Sequence, residues 1–210
     1  MIKHDVYPGL KTYVEQLRGE MDSIPSNRKS DLKKISAFIS ERLALKKPVK
    51  LTFICTHNSR RSHLGQIWAQ AAAWYYGLDN VYTFSGGTEA TAFHPNAVTA
   101  IKDAGFEVNQ EGKHDNPVYA IRFAQDHLPL KVFSKRYDDA ANPADDFCAV
   151  MTCSDADEHC PYIPGASLRI PITYEDPKLF DGTPGEAEAY AQRCRQIGGE
   201  MFYIFEKVQL

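Results

Sequence analysis

A short polar segment, CTHNSRRS, follows the apolar run VKLTFI and carries the residues best suited to chemistry. Its cysteine and arginine, Cys55 and Arg61, have the spacing C-x5-R, and Ser62 comes next. If the loop joins a parallel strand to a helix, backbone N–H groups and the helix dipole converge on it and favour a bound oxyanion. Arg61 can hold two oxyanion oxygens, and the positive surroundings favour the thiolate form of Cys55. The segment therefore predicts a nucleophilic sulfur beneath an oxyanion.

The other polar residues of this segment are predicted to shape the loop. Asn58 tolerates the left-handed backbone that a tight loop needs, and the hydroxyls of Ser59 and Ser62 can hydrogen-bond the sulfur. The predicted oxyanion-binding and supporting residues are Thr56, His57, Asn58, Ser59, Arg60, Ser62 and Ser85. The Gly86-Gly87 pair after Ser85 allows close backbone approach. A buried structural cysteine beside surface arginines can show the same spacing by chance, and the position between a strand and a helix favours function.

Two later segments carry groups that suit the same chemistry. Asp176, in YEDP, follows the fourth predicted strand, and an Asp-Pro pair by itself favours a turn. A protonated carboxyl group at this position could also deliver a proton to a leaving oxygen. TCSDADEHCP places Cys153 and Cys160 seven positions apart, after the third predicted strand, at the edge where ligands bind in open α/β sheets. With His159 they offer three zinc ligands and no fourth at typical spacing, so no metal site is predicted.

The remaining cysteines are predicted to be structural. Five cysteines in a chain without a secretion signal do not suggest a disulfide framework. Cys148 falls in a predicted strand and Cys194 in the last helix, where we expect small apolar core residues. For Phe93 and His94 we favour a core or cap role over the rim of a pocket.

The hydrophobic pattern supplies the elements that position these residues. From Val49 onward, short apolar runs alternate with helical periods. The predicted strands are VKLTFI, VYTFS, FCAVMT and SLRIPI, and the predicted helices cover 63–77, 95–105 and 185–207. This order predicts an α/β fold, with a parallel sheet covered by helices on both faces.

Two segments fall outside this alternation. Residues 1–48 show two helical periods separated by a break at PSN, which predicts a helical extension. We expect a helical hairpin laid on a main domain of residues 49–210, with its lysines and arginines on a solvated face. VYAIRF and LPLKVFSK alternate like an antiparallel pair and predict a β-hairpin insertion over 118–135.

Composition excludes several classes of protein. The chain has 210 residues, 43% of them hydrophobic, and a formal net charge of -3. This balance lacks the basic surface of nucleic-acid binders. Neither a signal peptide nor an apolar run long enough for a bilayer is visible. The sequence therefore predicts a cytoplasmic globular protein that binds neither nucleic acid nor membrane.

CTHNSRRS resembles the phosphate-binding loop of the low-molecular-weight protein tyrosine phosphatase superfamily. TCSDADEHCP resembles the redox segment of its thioredoxin-coupled arsenate reductases. The resemblance runs from about Val49 to the C-terminus, apart from the suspected insertion, and implies a flavodoxin-like fold with four parallel strands. It also implies that Cys55, Arg61 and Asp176 are catalytic and that the substrate is arsenate or a phosphoester.

For an arsenate reductase, the resemblance implies a relay of three cysteines. Cys55 attacks arsenate, Cys153 attacks Cys55 with release of arsenite, and Cys160 then forms a disulfide with Cys153 that thioredoxin reduces. Two alternatives stay open. One is a phosphatase that works through a phosphocysteine, with the later cysteines as a guard against over-oxidation. The other is a non-enzymatic redox or oxyanion sensor.

The sequence departs from the family pattern at two positions. Arg60 stands where close relatives often have a second cysteine, and an extra cation there is expected to strengthen anion binding. Gln66 stands where some relatives have a glutamate that helps to hold potassium, while Asn58 and Ser85 match other positions of that ion site. The sequence therefore predicts no cofactor and leaves potassium open.

Overall fold

The computed structural model describes residues 4–159 and 162–210, and every element below lies in those residues. The helices are α1 (Pro8–Glu20), α2 (Ser26–Ala44), α3 (Arg61–Tyr75), α4 (Pro95–Asp103), α5 (Ser154–His159) and α6 (Glu186–Glu206). The strands are β1 (Val49–Cys55), β2 (Val81–Gly87), β3 (Glu107–Glu111), β4 (Val118–Arg122), β5 (Leu130–Val132), β6 (Phe147–Met151) and β7 (Ala166–Pro171). Short 3-10 helices cover Met21–Ser23 and Pro177–Phe180.

The main sheet has the order β2-β1-β6-β7 and all its pairs are parallel. β1 and β6 are buried along almost their whole length, as expected for strands covered on both faces. The predicted four-stranded parallel α/β sheet is therefore confirmed. Ile54 of β1 pairs with Met151 of β6, so the segments that follow both strands leave the sheet at the same edge.

A second sheet, of order β3-β4-β5, extends the predicted insertion. β4 and β5 pair antiparallel, as the sequence predicts. β3 pairs antiparallel with β4 over five residues, and the sequence did not predict this strand. Its sequence, EVNQE, has one apolar residue and is mostly exposed, so no hydrophobic alternation marks it as a strand. The chain after β5 returns to the main sheet, where Gly87 N–H donates to Lys135 O.

The N-terminal helices pack on the main domain, as expected for a helical hairpin laid on it, and they share its core. α1 and α2 each pack on α6 far more than on each other. Leu10, Leu32 and Ile39 are fully buried in the core cluster that also holds Phe53 and Trp68. A common core therefore joins these helices to the sheet, and a separable unit of residues 1–48 remains only a prediction.

The prediction of a solvated basic face for this segment is wrong for two arginines. Arg42 is 8% exposed and its Nη2 lies 2.6 Å from Asp146 Oδ2. The Arg28 side chain is 18% exposed and pairs with Glu200. Both arginines point into contacts with the rest of the chain, which helical periodicity alone does not reveal.

No helix of the described residues is both long and apolar enough to span a membrane.

Candidate active site

Cys55 closes β1 and is 3% exposed. Its Sγ lies 3.0 Å from Ser62 Oγ in the first turn of α3. Ser62 Oγ also accepts a hydrogen bond from Asn58 Nδ2 at 2.8 Å. Because Asn58 uses an acceptor site of the hydroxyl, the hydroxyl proton can point at the sulfur. The first turn of α3 therefore supplies a hydrogen-bond donor for the sulfur that the sequence predicts to be the nucleophile.

The loop between β1 and α3 has the backbone that its asparagine predicts. Asn58 has a φ of 45°, in the left-handed region, and is fully buried. Its Oδ1 accepts the N–H of Lys135 at 2.9 Å, which ties the loop to the chain after β5. A Cβ at Gly87 would lie 2.6 Å from Thr56 O and 2.7 Å from Asn58 N. The predicted close approach at Gly87 is thus confirmed, and glycine is required for it.

Arg61 and Asp176 meet at the mouth of this loop. Arg61 Nη1 donates to Tyr174 O at 2.9 Å, and Nη2 donates to Asp176 Oδ2 at 2.5 Å. The Nε of Arg61 is buried and has no hydrogen-bond partner in residues 4–159 and 162–210. The other carboxylate oxygen of Asp176 accepts Lys178 N–H at 3.1 Å and caps the 3-10 helix. Asp176 therefore opens a turn and also faces the predicted anion-binding arginine.

Arg60 points away from this pair. Its Nε donates to Tyr190 Oη at 2.7 Å and its Nη2 donates to Asp181 Oδ2 at 3.2 Å, while Tyr190 Oη donates to Asp181 Oδ1 at 2.8 Å. Asp181 balances the charge of Arg60 inside the protein, so this contact gives no support to the expectation that Arg60 strengthens anion binding in the loop.

His94 stacks on Tyr190 and caps α4 by accepting Asn96 N–H at 3.3 Å. The cap role favoured for His94 is confirmed.

Cys153 lies beside the same loop, two residues after β6. It is 1% exposed, and its Sγ lies 3.4 Å from Thr56 Oγ1. Thr56 Oγ1 donates to Asp155 Oδ2 at 2.7 Å, and the Cys153 sulfur accepts Ala156 N–H at 3.3 Å. Cys55 and Cys153 belong to one cluster of buried side chains. The structure therefore brings Cys55, Arg61, Asp176 and Cys153 to one edge of the sheet; Cys160 lies outside the described residues.

A buried polar cluster lies behind the loop. Ser85 Oγ donates to Gln66 Oε1 at 2.6 Å and lies 3.2 Å from His63 Nδ1. Because the Ser85 hydroxyl hydrogen points at Gln66, the Ser85 oxygen can accept a hydrogen bond from His63 Nδ1. Burial, reinforced by the nearby Lys135 charge, lowers the pKa of His63 to about 3. His63 is therefore neutral, and the sequence analysis gave it no part in the site.

Lys135 is the second group of this cluster that sequence reasoning missed. It is 5% exposed, and burial lowers its pKa to about 8. Asn58 Oδ1 and Gln66 Oε1 each accept one hydrogen bond from the protein, and the Lys135 charge acts on His63. The absence of a cofactor, and the potassium site left open by Asn58, Gln66 and Ser85, therefore stay predictions from the sequence.

The two remaining cysteines are confirmed as core residues. Cys148 and Cys194 are fully buried, and burial raises the pKa of each thiol to about 12. Trp68 Nε1 donates to Cys194 Sγ at 3.3 Å, on the face where α6 packs against α3. In the described part of the chain, no cluster of three His, Cys, Asp or Glu side chains is arranged to hold a metal ion.

Comparison with solved structures places the fold. The chain superposes on a low molecular weight protein tyrosine phosphatase from T. tengcongensis with a TM-score of 0.51 and 20% identity, covering 76% of this chain and 99% of that one. It superposes on an arsenate reductase in its oxidized state with a TM-score of 0.50 and 17% identity, covering 76% and 98%. At these identities the likeness shows a common fold.

Sequence comparison shows the family. No family model matches the chain. The chain is 31% identical over 150 residues to an arsenate reductase of Bacillus subtilis, which covers 71% of this chain and 89% of the relative. It is 30% identical over 153 residues to an arsenate reductase of Bacillus licheniformis, covering 73% and 91%. The protein is therefore an enzyme of the arsenate reductase family, with the fold of the low molecular weight protein tyrosine phosphatases.

Proposed function

We propose that this enzyme reduces arsenate by passing two electrons through Cys55, Cys153 and Cys160. The observation that carries the proposal is the position of Cys153. Its sulfur lies 3.4 Å from the hydroxyl of Thr56, the residue directly after Cys55, and it shares a buried cluster with Cys55. Ester hydrolysis needs one thiol here, whereas reduction needs a second thiol that can reach the first.

The first step forms a bond between sulfur and arsenic. The Cys55 thiolate attacks arsenate, and one arsenate oxygen leaves as water after it receives protons. Arg61 holds the oxyanion through its Nε and its Nη2. Because Nη2 is paired with Asp176 at 2.5 Å, substrate binding competes with that ion pair and releases the carboxylate. The freed carboxylate takes up a proton from solvent and passes it to a hydroxyl group of the protonated arsenate, which then leaves as water.

The second step transfers the electrons. The Cys153 thiolate attacks Cys55 Sγ, a disulfide forms, and the electron pair of the sulfur–arsenic bond stays on arsenic, which leaves as arsenite. Cys160 then attacks Cys153 Sγ and frees Cys55 as a thiolate. A dithiol protein of the thioredoxin class reduces the Cys153–Cys160 disulfide, so the proposal places the enzyme in a reducing cytoplasm.

Phosphomonoester hydrolysis is the second candidate function. The contacts among Cys55, Ser62, Arg61 and Asp176 do not involve Cys153, and a phosphate group has the shape and charge of arsenate. Cys55 would displace the alcohol from phosphorus, Asp176 would protonate that alcohol, and water would then hydrolyse the phosphocysteine. The two activities share the first sulfur attack and differ in whether a thiol or water completes the cycle.

Replacement of Cys153 by serine separates these activities. In Cys153→Ser we expect arsenite release, measured with thioredoxin and its reductase, to fall to background, because no thiol can break the sulfur–arsenic adduct. Hydrolysis of p-nitrophenyl phosphate should stay within about threefold of wild type, because a serine hydroxyl can keep the hydrogen bonds that the Cys153 sulfur makes with Thr56 and Ala156.

Cys194→Ser is the matched control, since Cys194 is an equally buried thiol whose hydrogen bonds a serine can keep. It should keep both activities. Thioredoxin-coupled arsenite release by Cys153→Ser at the wild-type rate would contradict the relay. Absence of arsenite release by the wild-type enzyme, with p-nitrophenyl phosphate still hydrolysed, would favour the phosphatase.

A further inference from the structure

A buried polar network starts on α2 and crosses α6. Arg28 of α2 donates Nε to Glu200 Oε1 at 3.1 Å and Nη2 to Oε2 at 2.8 Å. Glu200 is 3% exposed, and its Oε2 also accepts the Tyr174 hydroxyl at 2.8 Å. The Arg28 guanidinium lies 4.7 Å from the centre of the Tyr174 ring, so the arginine contacts both partners.

The same tyrosine reaches the active site through its backbone. Tyr174 O accepts Arg61 Nη1 at 2.9 Å, and Tyr174 N–H donates to Thr152 O at 3.1 Å. Asp176, two residues later, accepts the second Nη of Arg61. The orientation of the Arg61 guanidinium is therefore set by the Tyr174 carbonyl group and the Asp176 carboxylate. Both belong to one short segment, and Glu200 fixes that segment through its hydrogen bond with the Tyr174 hydroxyl.

We propose that Arg28, Glu200 and Tyr174 are positioning residues that orient Arg61 and Asp176 from outside the anion loop. The proposal deepens the proposed function and rests on it, since it concerns the two groups that hold and protonate the oxyanion. Because Arg28 belongs to α2, the N-terminal segment would then help to position the catalytic groups.

Burial makes this network sensitive to the loss of one member. A carboxylate at 3% exposure needs its charge matched, and the fork of Arg28 does so with two hydrogen bonds. Without the Tyr174 hydroxyl, Glu200 no longer fixes the ring, and the carbonyl that aligns Arg61 gains freedom. An error of about 1 Å in a positioned group can cost about 100-fold in rate.

Two substitutions test the network without touching the loop. Tyr174→Phe removes one hydroxyl, and Arg28→Met removes the charge while keeping the length of the side chain. We expect both to lower kcat/KM for p-nitrophenyl phosphate by roughly 10-fold or more, and to weaken protection of Cys55 by inorganic phosphate against iodoacetamide. Arg28→Lys should restore part of the loss, because it keeps the charge. Rates are normalised to folded protein by near-UV circular dichroism.

Arg18→Met is the matched control, because Arg18 pairs with Glu206 at 3.3 Å across α1 and α6 without reaching Tyr174. It should leave kcat/KM and phosphate protection within about twofold of wild type. The proposal is overturned if Tyr174→Phe, which leaves Arg28–Glu200 intact, matches this control in both measurements. A wild-type enzyme that releases no arsenite with thioredoxin would count against the proposed function alone, since phosphate protection still reports the alignment of Arg61.

Discussion

At the scale of single residues, the burial of His63 makes stability depend on pH. The pKa of this histidine is about 3 in the folded protein, against 6.5 for the ordinary imidazole of an unfolded chain. Between these values the unfolded chain binds a proton that the folded chain does not, so the free energy of unfolding falls as the pH is lowered from 6.5 towards 3. His63 contributes up to ~1.4 kcal/mol per pH unit to that fall.

Urea unfolding at pH 7 and pH 5 measures this contribution. His63→Gln keeps a donor for Ser85 and has no titrating ring, so we expect it to lose less stability between the two pH values than wild type. His114→Gln, at an exposed position, is the control and should follow wild type. An identical loss in wild type and His63→Gln would show that His63 is not the titrating group.

The site residues found from the sequence differ in kind from those missed. Cys55, Asn58 and Asp176 carry their signal locally, in the spacing of a loop, a tolerance for left-handed backbone or an Asp-Pro pair. His63 and Lys135 have no such signal, because each matters through the protein that covers it. The sequence also could not show which way the Arg60 side chain points, because its partners Asp181 and Tyr190 lie more than a hundred residues later in the chain.

At the scale of elements, the end of β2 fixes the distance between the sheet and the loop. A Cβ at Gly87 would meet Thr56 O, Asn58 N and, at 2.3 Å, Glu89 O. All three are backbone atoms, so a side-chain rotation cannot make room for the added Cβ and the loop backbone itself must shift. We expect Gly87→Ala to lower the free energy of unfolding by about 1–3 kcal/mol and to weaken phosphate protection of Cys55.

Gly19→Ala is the control for this substitution. Gly19 lies in α1, and a Cβ there meets no atom of the described residues within 4 Å. Alanine should leave phosphate protection unchanged and raise helix stability slightly. Equal phosphate protection in Gly87→Ala and wild type would mean that the loop does not depend on this close approach.

Elements with apolar patterns were predicted far better than polar ones. β1 and β6 were predicted because each is a buried apolar run in the sequence, and their parallel pairing follows from the alternation with helices. β3 was missed because a mostly exposed strand needs no apolar alternation. The packing of α1 and α2 on α6 was also missed, because amphipathic periodicity shows that a helix has a buried face but not which element covers it.

At the scale of the whole molecule, the N-terminal helices and the sheet share contacts that should make them unfold together. Leu17 lies so close to α6 that a Cβ at Gly198 would be 3.0 Å from its Cδ1. The Ser36 hydroxyl donates to Ile204 O at 2.8 Å, and Tyr13 stacks on Trp68 of α3. α6 therefore has one face on the N-terminal helices and another on the helix that carries Arg61.

Leu32→Ala tests this cooperativity. Leu32 is fully buried, so the substitution should lower the free energy of unfolding by about 2–5 kcal/mol. Both tryptophans of the chain, Trp68 and Trp74, lie in α3, so their fluorescence reports the sheet-bound part, while far-UV circular dichroism reports all helices. We expect the two signals to move together to a lower urea midpoint in one coincident transition.

The exposed neighbour Lys33 supplies the control, and Lys33→Ala should change the free energy of unfolding by no more than about 0.5 kcal/mol. A different result would follow if residues 1–48 were an appended unit. Leu32→Ala would then cause an early loss of helical signal at low urea, while tryptophan fluorescence kept the wild-type midpoint. Because Arg28 lies on the same helix as Leu32, a coincident transition also means that the enzyme cannot lose α2 and keep an intact active site.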